Sequence, residues 1–217
     1  MSGGRYIVVE GPIAVGKTSL ARILADEFDA DLELDPAERN AFLRPFYREP
    51  GRHALAAELE FLRLRLARRA RIAARLGEGR TVVSDYLFEK NEIFARLTLE
   101  EAELVLYREL AGALAQERGN EGRPPDLVVY LEARWDVLHR RLRQRNRDFE
   151  RRVAPEYLRS LAEAYRNFFH SYEDAPLLVV NCSEIDFLGN GAELGDLLRE
   201  IRSAGRGVQH YIPLGSR

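Results

Sequence analysis

The sequence predicts an α/β protein in which helices cover both faces of a parallel sheet. Short runs of valine, isoleucine and leucine alternate along the chain with longer segments of helical pattern. The runs are continuously apolar, which indicates strands that are buried on both faces, as parallel strands are. In such sheets, ligands bind beyond the carboxyl ends of the strands. We therefore expect the functional residues at those ends.

The order of the elements follows from the same pattern. A five-stranded sheet is predicted, with strands at residues 6–9, 31–34, 81–84, 127–131 and 177–180. Helices are predicted at residues 17–28, 52–76, 99–117, 135–144 and 155–172. The glycines at 77 and 79 are expected to end the long second helix. We expect one domain over residues 1–205 and a loose glycine-rich tail over residues 206–217.

Composition excludes several classes of protein. The net charge is −2, so no strongly positive field attracts nucleic acid or an anionic membrane. The single cysteine, Cys182, cannot form an internal disulfide. No apolar run approaches the roughly 20 residues of a transmembrane helix, and the N-terminus does not resemble a signal peptide. These features predict a cytoplasmic protein without nucleic-acid or membrane partners.

A glycine-rich loop joins the first predicted strand to the first helix. It comprises Gly11, Pro12, Ile13, Ala14, Val15, Gly16, Lys17 and Thr18, followed by Ser19. The spacing fits the P-loop pattern, in which successive backbone N–H groups point at phosphate oxygens. Lys17 is expected to reach the β- and γ-phosphates, and the Thr18 hydroxyl to bind Mg²⁺. The loop predicts a site for ATP or GTP with magnesium.

Other segments narrow the class of P-loop protein. The chain lacks the Asn-Lys-x-Asp segment with which GTPases recognise guanine. It also lacks the strand ending in consecutive acids, with a larger accessory module, that is typical of motor ATPases. These features favour a kinase that acts on a small molecule.

Several further segments match a known family in order. They lie at residues 10–18, 35–40, 46–47, 84–86, 125–131, 155–158 and 180–187. Over about residues 6–187 the chain resembles the deoxynucleoside kinases, most closely their bacterial deoxyadenosine/deoxyguanosine kinase branch. The resemblance implies a P-loop kinase fold with an arginine-rich lid and a homodimer packed through helices. It also implies transfer of the ATP γ-phosphate, with Mg²⁺, to the 5′-hydroxyl of a deoxynucleoside.

The resemblance implies which residue acts as general base. The family places a glutamate just after the second strand, where it accepts the proton of the 5′-hydroxyl. This chain has Asp35 at that position, with a side chain that is one carbon shorter. Glu33 and Glu38 are the alternatives.

The end of the third strand also departs from the family pattern. Asp85 corresponds to the acid of an acidic-Arg-Ser triplet and would orient magnesium through its water shell. The arginine of that triplet is Tyr86 in this chain. Lys90, one helical turn beyond, is expected to restore the positive charge.

The substrate pocket is inferred mainly from the resemblance. Tyr47 and Glu150 correspond to residues that contact the sugar 3′-hydroxyl. Glu58 stands where the family has a base-reading glutamine, and Arg65, on the same helix face, matches an arginine at the base edge. A carboxylate only accepts hydrogen bonds, which favours guanine slightly over adenine. The residues expected to contact the substrate are Asp35, Tyr47, Glu58, Arg65, Asp85, Tyr86, Lys90, Asn91, Arg147 and Glu150.

Three arginines correspond to the lid of the family. Arg141 and Arg145 are spaced i, i+4 on the helix after the fourth strand, and Arg147 follows. Closing over ATP, they would neutralise phosphate oxygens during transfer.

Two other functions remain open from the sequence. A nucleoside monophosphate kinase of the thymidylate kinase type would share the fold. A regulatory protein that binds ATP without catalysis would fit the departures at Asp35 and Tyr86. The expected sugar contacts, Tyr47 and Glu150, favour the nucleoside over the monophosphate.

Overall fold

A computed structural model describes residues 4–117, 122–145, 153–185, 187 and 189–212 of the chain. Its sheet has six parallel strands in the order β2-β3-β1-β4-β5-β6. The strands are β1 Tyr6–Glu10, β2 Asp31–Glu33, β3 Val82–Ser84, β4 Leu127–Glu132, β5 Leu177–Asn181 and β6 Val208–Tyr211. The α/β fold class and the parallel sheet are therefore confirmed.

Eight α-helices and one short 3₁₀ helix are found in the described ranges. The helices are α1 Lys17–Glu27, α2 Leu43–Arg48, α3 Pro50–Gly77, α4 Lys90–Thr98, α5 Glu101–Glu117, α6 Trp135–Arg145, α7 Pro155–His170 and α8 Gly191–Ser203. The 3₁₀ helix is Ala37–Arg39. None of the helices in these ranges is long and apolar enough to cross a bilayer.

Side chains of alternate strand residues enter two separate cores. Ile7 and Val9 pack towards the face covered by α1 and α8, in contact with residues such as Leu24. Val8 points to the other face and packs with Tyr165 of α7 and residues of α3 and α4. This alternation is the pleat of a strand buried on both sides. It explains why each strand has a continuous apolar sequence.

The long helix α3 carries charged residues on its buried side. Pro50 begins the helix, at a position where the missing N–H has no cost. The residues buried along it include Ala54, Glu58, Phe61 and Arg65, spaced three or four apart. Glu58 and Arg65 therefore point inwards together.

The expectation of a five-stranded sheet with a loose C-terminal tail was wrong for residues 208–211. These residues form β6, which pairs in parallel with β5, and Gly207 O accepts a hydrogen bond from Leu177 N–H. Their side chains are exposed or half-buried, so the strand lacks an apolar run in the sequence. Helices α2, α4 and α8 were also not predicted. Asn190 caps α8 by accepting hydrogen bonds from the N–H groups of Ala192 and Glu193.

Candidate active site

The loop between β1 and α1 requires glycine at two positions. Gly11 has φ 152° and Gly16 has φ 114°, conformations that L side chains rarely adopt. A Cβ atom at residue 11 would lie 2.3 Å from Leu131 O, and one at residue 16 would lie 3.0 Å from the ring of Phe187. The backbone therefore curls as a phosphate loop does, and no larger residue fits at Gly11.

Lys17 is folded into this loop. Its Nζ donates hydrogen bonds to Gly11 O at 2.7 Å and Pro12 O at 2.9 Å. Burial lowers the pKa of Lys17 to about 8, against the opposing attraction of Glu10. The amine is thus positioned at the mouth of the loop, where an anion would meet it.

Asp85 connects three elements at the carboxyl end of the sheet. Its Oδ2 accepts a hydrogen bond from Thr18 Oγ1 of α1, and its Oδ1 accepts one from the backbone N–H of Asp35, after β2. A hydroxyl and a carboxylate are oxygen ligands of the kind that Mg²⁺ prefers, together with waters and substrate phosphates. In the described ranges, no group of three or more His, Cys, Asp or Glu residues could hold a metal. Thr18 Oγ1 and Asp85 Oδ2 are two oxygens of the kind that Mg²⁺ prefers, and they lie together beside the phosphate loop.

Asp35 lies in a buried cluster of charges. Arg65 donates to both of its oxygens, at 3.1 and 2.9 Å, and Lys90 Nζ lies 2.7 Å from Asp35 Oδ2. Asn91 Oδ1 accepts a further bond from Arg65. Burial alone would raise the pKa of Asp35, but Arg65 and Lys90 outweigh it and hold that pKa well below its usual range. The carboxylate is therefore ionised at neutral pH.

Glu10, at the end of β1, is a second buried carboxylate in this region. It accepts hydrogen bonds from the N–H groups of Gly11 and Leu87 and from the hydroxyl of Tyr165. Lys90 Nζ lies 3.6 Å from its Oε2. Glu10 thus joins the phosphate loop to the segment before α4, a link that the strand sequence did not indicate.

A first cavity of about 360 Å³ opens beside this cluster. Its walls combine aromatic rings with a larger number of charged side chains. The aromatic lining comprises Phe46, Tyr47, Phe61, Phe94, Tyr157 and Tyr165. The polar lining includes Arg22, Asp35, Glu38, Glu58, Arg65, Asp85 and Lys90. Flat aromatic rings among charged and polar groups suit a heterocyclic base joined to a polar sugar.

Glu58 is the least satisfied of these polar groups. The residue is 2% exposed, and its Oε1 accepts one long bond, 3.3 Å, from Thr98 Oγ1. Its Oε2 has no hydrogen-bond partner within the described part of the chain. Burial raises the pKa of Glu58 to about 7.

A second cavity of about 790 Å³ lies on the other side of the phosphate loop. It is lined by the loop, Ser19, arginines of α6 and the segment after β5, which includes Ser183, Ile185 and Phe187. The two cavities share Ala14, Lys17, Thr18, Arg22 and Arg145. A group bound in each cavity would therefore meet the other at the phosphate loop.

Arg141 lies in the wall of the second cavity, where backbone oxygens hold its guanidinium. Its Nη2 donates to the backbone oxygens of Cys182 at 2.9 Å and Ile185 at 3.0 Å. Arg141 lines the second cavity, but these bonds fasten α6 to the segment after β5. Arg145 lines both cavities, as a residue near a transferred phosphate would.

Two other residues that were expected to contact the substrate, Tyr86 and Asn91, do not line the first cavity. Tyr86 was expected to contact substrate, but it is buried in the core with Val8 and lines neither of these cavities. Asn91 holds Arg65 and is absent from the cavity wall. Arg147 and Glu150 lie outside the described residues.

Arg22 lines both cavities and Thr98 contacts Glu58, and neither residue was predicted to belong to the site. Arg22 lies four residues after Thr18 on α1, so its helical spacing from the phosphate loop was an available signal. Thr98 ends α4, a helix that was itself not predicted, and no pattern in the sequence connected it to Glu58.

The chain is similar to known proteins over most of its length. A deoxyguanosine kinase of Bacillus subtilis is 27% identical over 93% of this chain and 98% of its own. A deoxyadenosine kinase of Lactobacillus acidophilus is 26% identical over 91% and 94%. The solved structure of deoxyadenosine kinase from M. mycoides with bound dATP has a TM-score of 0.77 at 17% identity, over 92% of this chain and all of that one. The family profile described as deoxynucleoside kinase matches residues 7–204, and the chain belongs to this family.

Proposed function

We propose that the protein transfers the γ-phosphate of ATP to the 5′-hydroxyl of a purine deoxynucleoside. The observation that carries this proposal is the meeting of two cavities at Lys17, Thr18, Arg22 and Arg145. One cavity contains a phosphate loop, and the other has aromatic walls and a buried carboxylate. A direct transfer between two bound substrates needs this arrangement, because the attacking 5′-oxygen and the γ-phosphorus must lie within about 3–3.5 Å of each other.

ATP would occupy the second cavity, with its phosphates on the loop. Lys17 would leave the carbonyl oxygens of Gly11 and Pro12 and donate to the β- and γ-phosphates. Thr18 and, through water, Asp85 would hold Mg²⁺. The metal supplies positive charge to the phosphate oxygens when it is bound.

Asp35 is our candidate for the general base. It lines the first cavity and is ionised, so it can accept the 5′-hydroxyl proton as the oxygen bonds to phosphorus and the bond to ADP breaks. Glu33 is instead paired with Arg68 and Arg71, and it does not line that cavity. Glu38 does line it and remains the alternative.

The same cluster favours a nucleoside over a monophosphate as acceptor. Lys90 and Arg65 are both ion-paired with Asp35, so their charge is already balanced by a carboxylate. The phosphate of a monophosphate acceptor, if placed here, would have to displace Asp35 or be repelled by it.

We also propose that the protein is a single-domain cytoplasmic enzyme that acts as a homodimer. Helix α5 exposes Val105 by 51%, Leu106 by 46% and Leu110 by 38%, and a second copy would cover this apolar row. Light scattering should give twice the chain mass. The variant Leu106→Glu should give a monomer, whereas a monomeric wild type would contradict this proposal.

The function is tested by incubating the protein with labelled ATP, Mg²⁺ and one acceptor at a time. The acceptors are deoxyguanosine, deoxyadenosine, deoxycytidine, thymidine and the 5′-monophosphate of each. We expect 5′-monophosphates from the purine nucleosides and no product with Lys17→Met. Product from the monophosphates alone would indicate the thymidylate-kinase type. Binding of ATP without product from any acceptor would indicate a regulatory protein.

A further inference from the structure

Glu58 has a place in the first cavity that ordinary packing does not explain. In the described part of the chain, its Oε2 is the one buried carboxylate oxygen without a hydrogen-bond partner. A buried acceptor without a partner is costly, and native proteins rarely retain one without a ligand or water to satisfy it. Since Glu58 lines the cavity, the missing partner is expected to be a group on the bound molecule.

The neighbours of Glu58 leave its protonation state adjustable. Arg65, on the same helix, is engaged by Asp35 and Asn91, so no direct ion pair fixes Glu58 as a carboxylate. Thr98 of α4 contributes only the 3.3 Å bond.

The remaining ionisable groups that face Glu58 come from the elements packed around it. They are Lys90 of α4, Asp35 after β2, Tyr107 of α5 and Tyr157 of α7. Both tyrosines are neutral at physiological pH, because burial raises the pKa of each hydroxyl.

We propose that the proton on Glu58 selects the base of the acceptor: the carboxylate form selects guanine, and the carboxylic acid form selects adenine. This inference rests on the proposed function, since it concerns the same acceptor cavity.

The hydrogen-bond patterns of the two bases account for the selection. Guanine presents neighbouring N–H donors at N1 and N2, and a carboxylate offers two acceptors to match them. Adenine presents an acceptor at N1 beside the N–H donor at N6. A carboxylic acid matches that edge, because its O–H donates while its carbonyl oxygen accepts. Towards the N1–N2 edge of guanine the acid form presents a donor to a donor, and towards the N1–N6 edge of adenine the carboxylate presents an acceptor to an acceptor. Binding in a buried site penalises both mismatches.

Both forms are accessible in the same pH range as catalysis. Burial raises the pKa of Glu58 to about 7, whereas Asp35 stays ionised throughout that range. Lys17, whose pKa burial lowers to about 8, acts on ATP and so affects both acceptors equally. The ratio of the kcat/KM values of the two acceptors, measured in one reaction, therefore reports the protonation of Glu58.

The test is competition between deoxyguanosine and deoxyadenosine in one reaction, from about pH 6 to about pH 8. If each form of Glu58 serves one base, the guanine-to-adenine ratio of kcat/KM should rise about tenfold per pH unit. The variant Glu58→Gln has an amide that donates and accepts at every pH. Its ratio should be independent of pH and should favour adenine.

A matched control lies two residues along α3. Glu60 is paired with Arg63 and does not line the cavity, so Glu60→Gln should keep the wild-type slope. A wild-type ratio that does not change with pH would overturn the inference, and it would do so even if Glu58→Gln failed to fold.

Equilibrium competition binding of the two nucleosides separates this inference from the proposed function. The ratio of their Kd values should show the same pH slope without any phosphoryl transfer. A slope in binding without turnover would support the role of Glu58 and contradict the kinase proposal. Turnover with a ratio of Kd values that does not change with pH would support the kinase proposal and contradict the role of Glu58.

Discussion

Lys90 Nζ lies 2.7 Å from Asp35 Oδ2, although the two residues come from α4 and the segment after β2. Both side chains are shielded from solvent, so the pair is only weakly screened by salt. The sequence has Tyr86 where the family pattern has arginine, and Lys90 supplies a cation to the same carboxyl end of the sheet. The positive charge at this end of the sheet therefore comes from Lys90, a residue further along the chain than the arginine of the family pattern.

The first prediction concerns that ion pair. Replacing Lys90 with Met removes one of the two cations that lower the pKa of Asp35, so the pKa of Asp35 should rise. A base with a raised pKa is protonated at a higher pH, and the acidic limb of the kcat profile should move to higher pH. We also expect kcat at neutral pH to fall by about tenfold or more. Lys90→Arg should retain the wild-type limb, and an unchanged limb in Lys90→Met would exclude this coupling.

Removing the candidate base gives a larger effect. Asp35→Asn should lower kcat by about two orders of magnitude or more, since general-base catalysis contributes about 10²–10⁴-fold. KM for the nucleoside should change little. Glu33→Gln is the matched control, because Glu33 is two residues away and forms its ion pairs with Arg68 and Arg71. Near-normal turnover of Asp35→Asn would transfer the role to Glu38.

Glu58 should also make stability depend on pH in the absence of substrate. Its pKa rises from 4.5 in the unfolded chain to about 7 in the folded one, so between these values the folded state holds a proton that the unfolded state has lost. The free energy of unfolding therefore falls by roughly 3 kcal/mol in all as pH rises through this window. Above the window, Glu58 causes no further change. Urea unfolding at several pH values should show that the free energy of unfolding of Glu58→Gln rises relative to that of wild type as pH rises through this window. Parallel pH curves for the two proteins would refute the buried titration.

The sequence predicted which end of the sheet carries the site, but it did not predict the contacts between the side chains there. The phosphate loop was predictable because Gly11, Gly16, Lys17 and Thr18 act through backbone geometry and local spacing. The partnership of Arg65 with Asp35 was not, because 30 residues and two elements separate them. Arg65 was expected to contact a base edge; it lines the first cavity, and its guanidinium also pairs with a carboxylate that only the fold brings near.

The C-terminal elements were missed for a different physical reason. Strand β6 is at the sheet edge, and three of its four side chains are exposed, so it carries no continuous apolar run. Pairing with β5 depends on backbone hydrogen bonds, which are independent of side-chain hydrophobicity. Helix α8 could have been anticipated from the Asn190 cap, which is a recognised helix start.

Arg141 provides a test of the segment that closes the second cavity. Its guanidinium donates to Cys182 O and Ile185 O, and hydrogen bonds to charged groups are worth about 1.5–3 kcal/mol each. Arg141→Ala should loosen that segment and raise KM for ATP by about tenfold, with a smaller change in KM for the nucleoside. Arg143→Ala is the control, because Arg143 is exposed on the same helix and lines neither cavity. Equal effects of the two substitutions would contradict a specific role for Arg141.

The shared wall between the two cavities has a consequence for inhibitor design. Lys17, Thr18, Arg22 and Arg145 border both spaces, so one molecule that joins a nucleoside to adenosine through a chain of phosphates would fill them together. Binding of its second half would be intramolecular, which increases affinity without new contacts when the connecting chain has the correct length. The number of bridging phosphates that binds most tightly would then act as a molecular ruler for the distance between the two substrates.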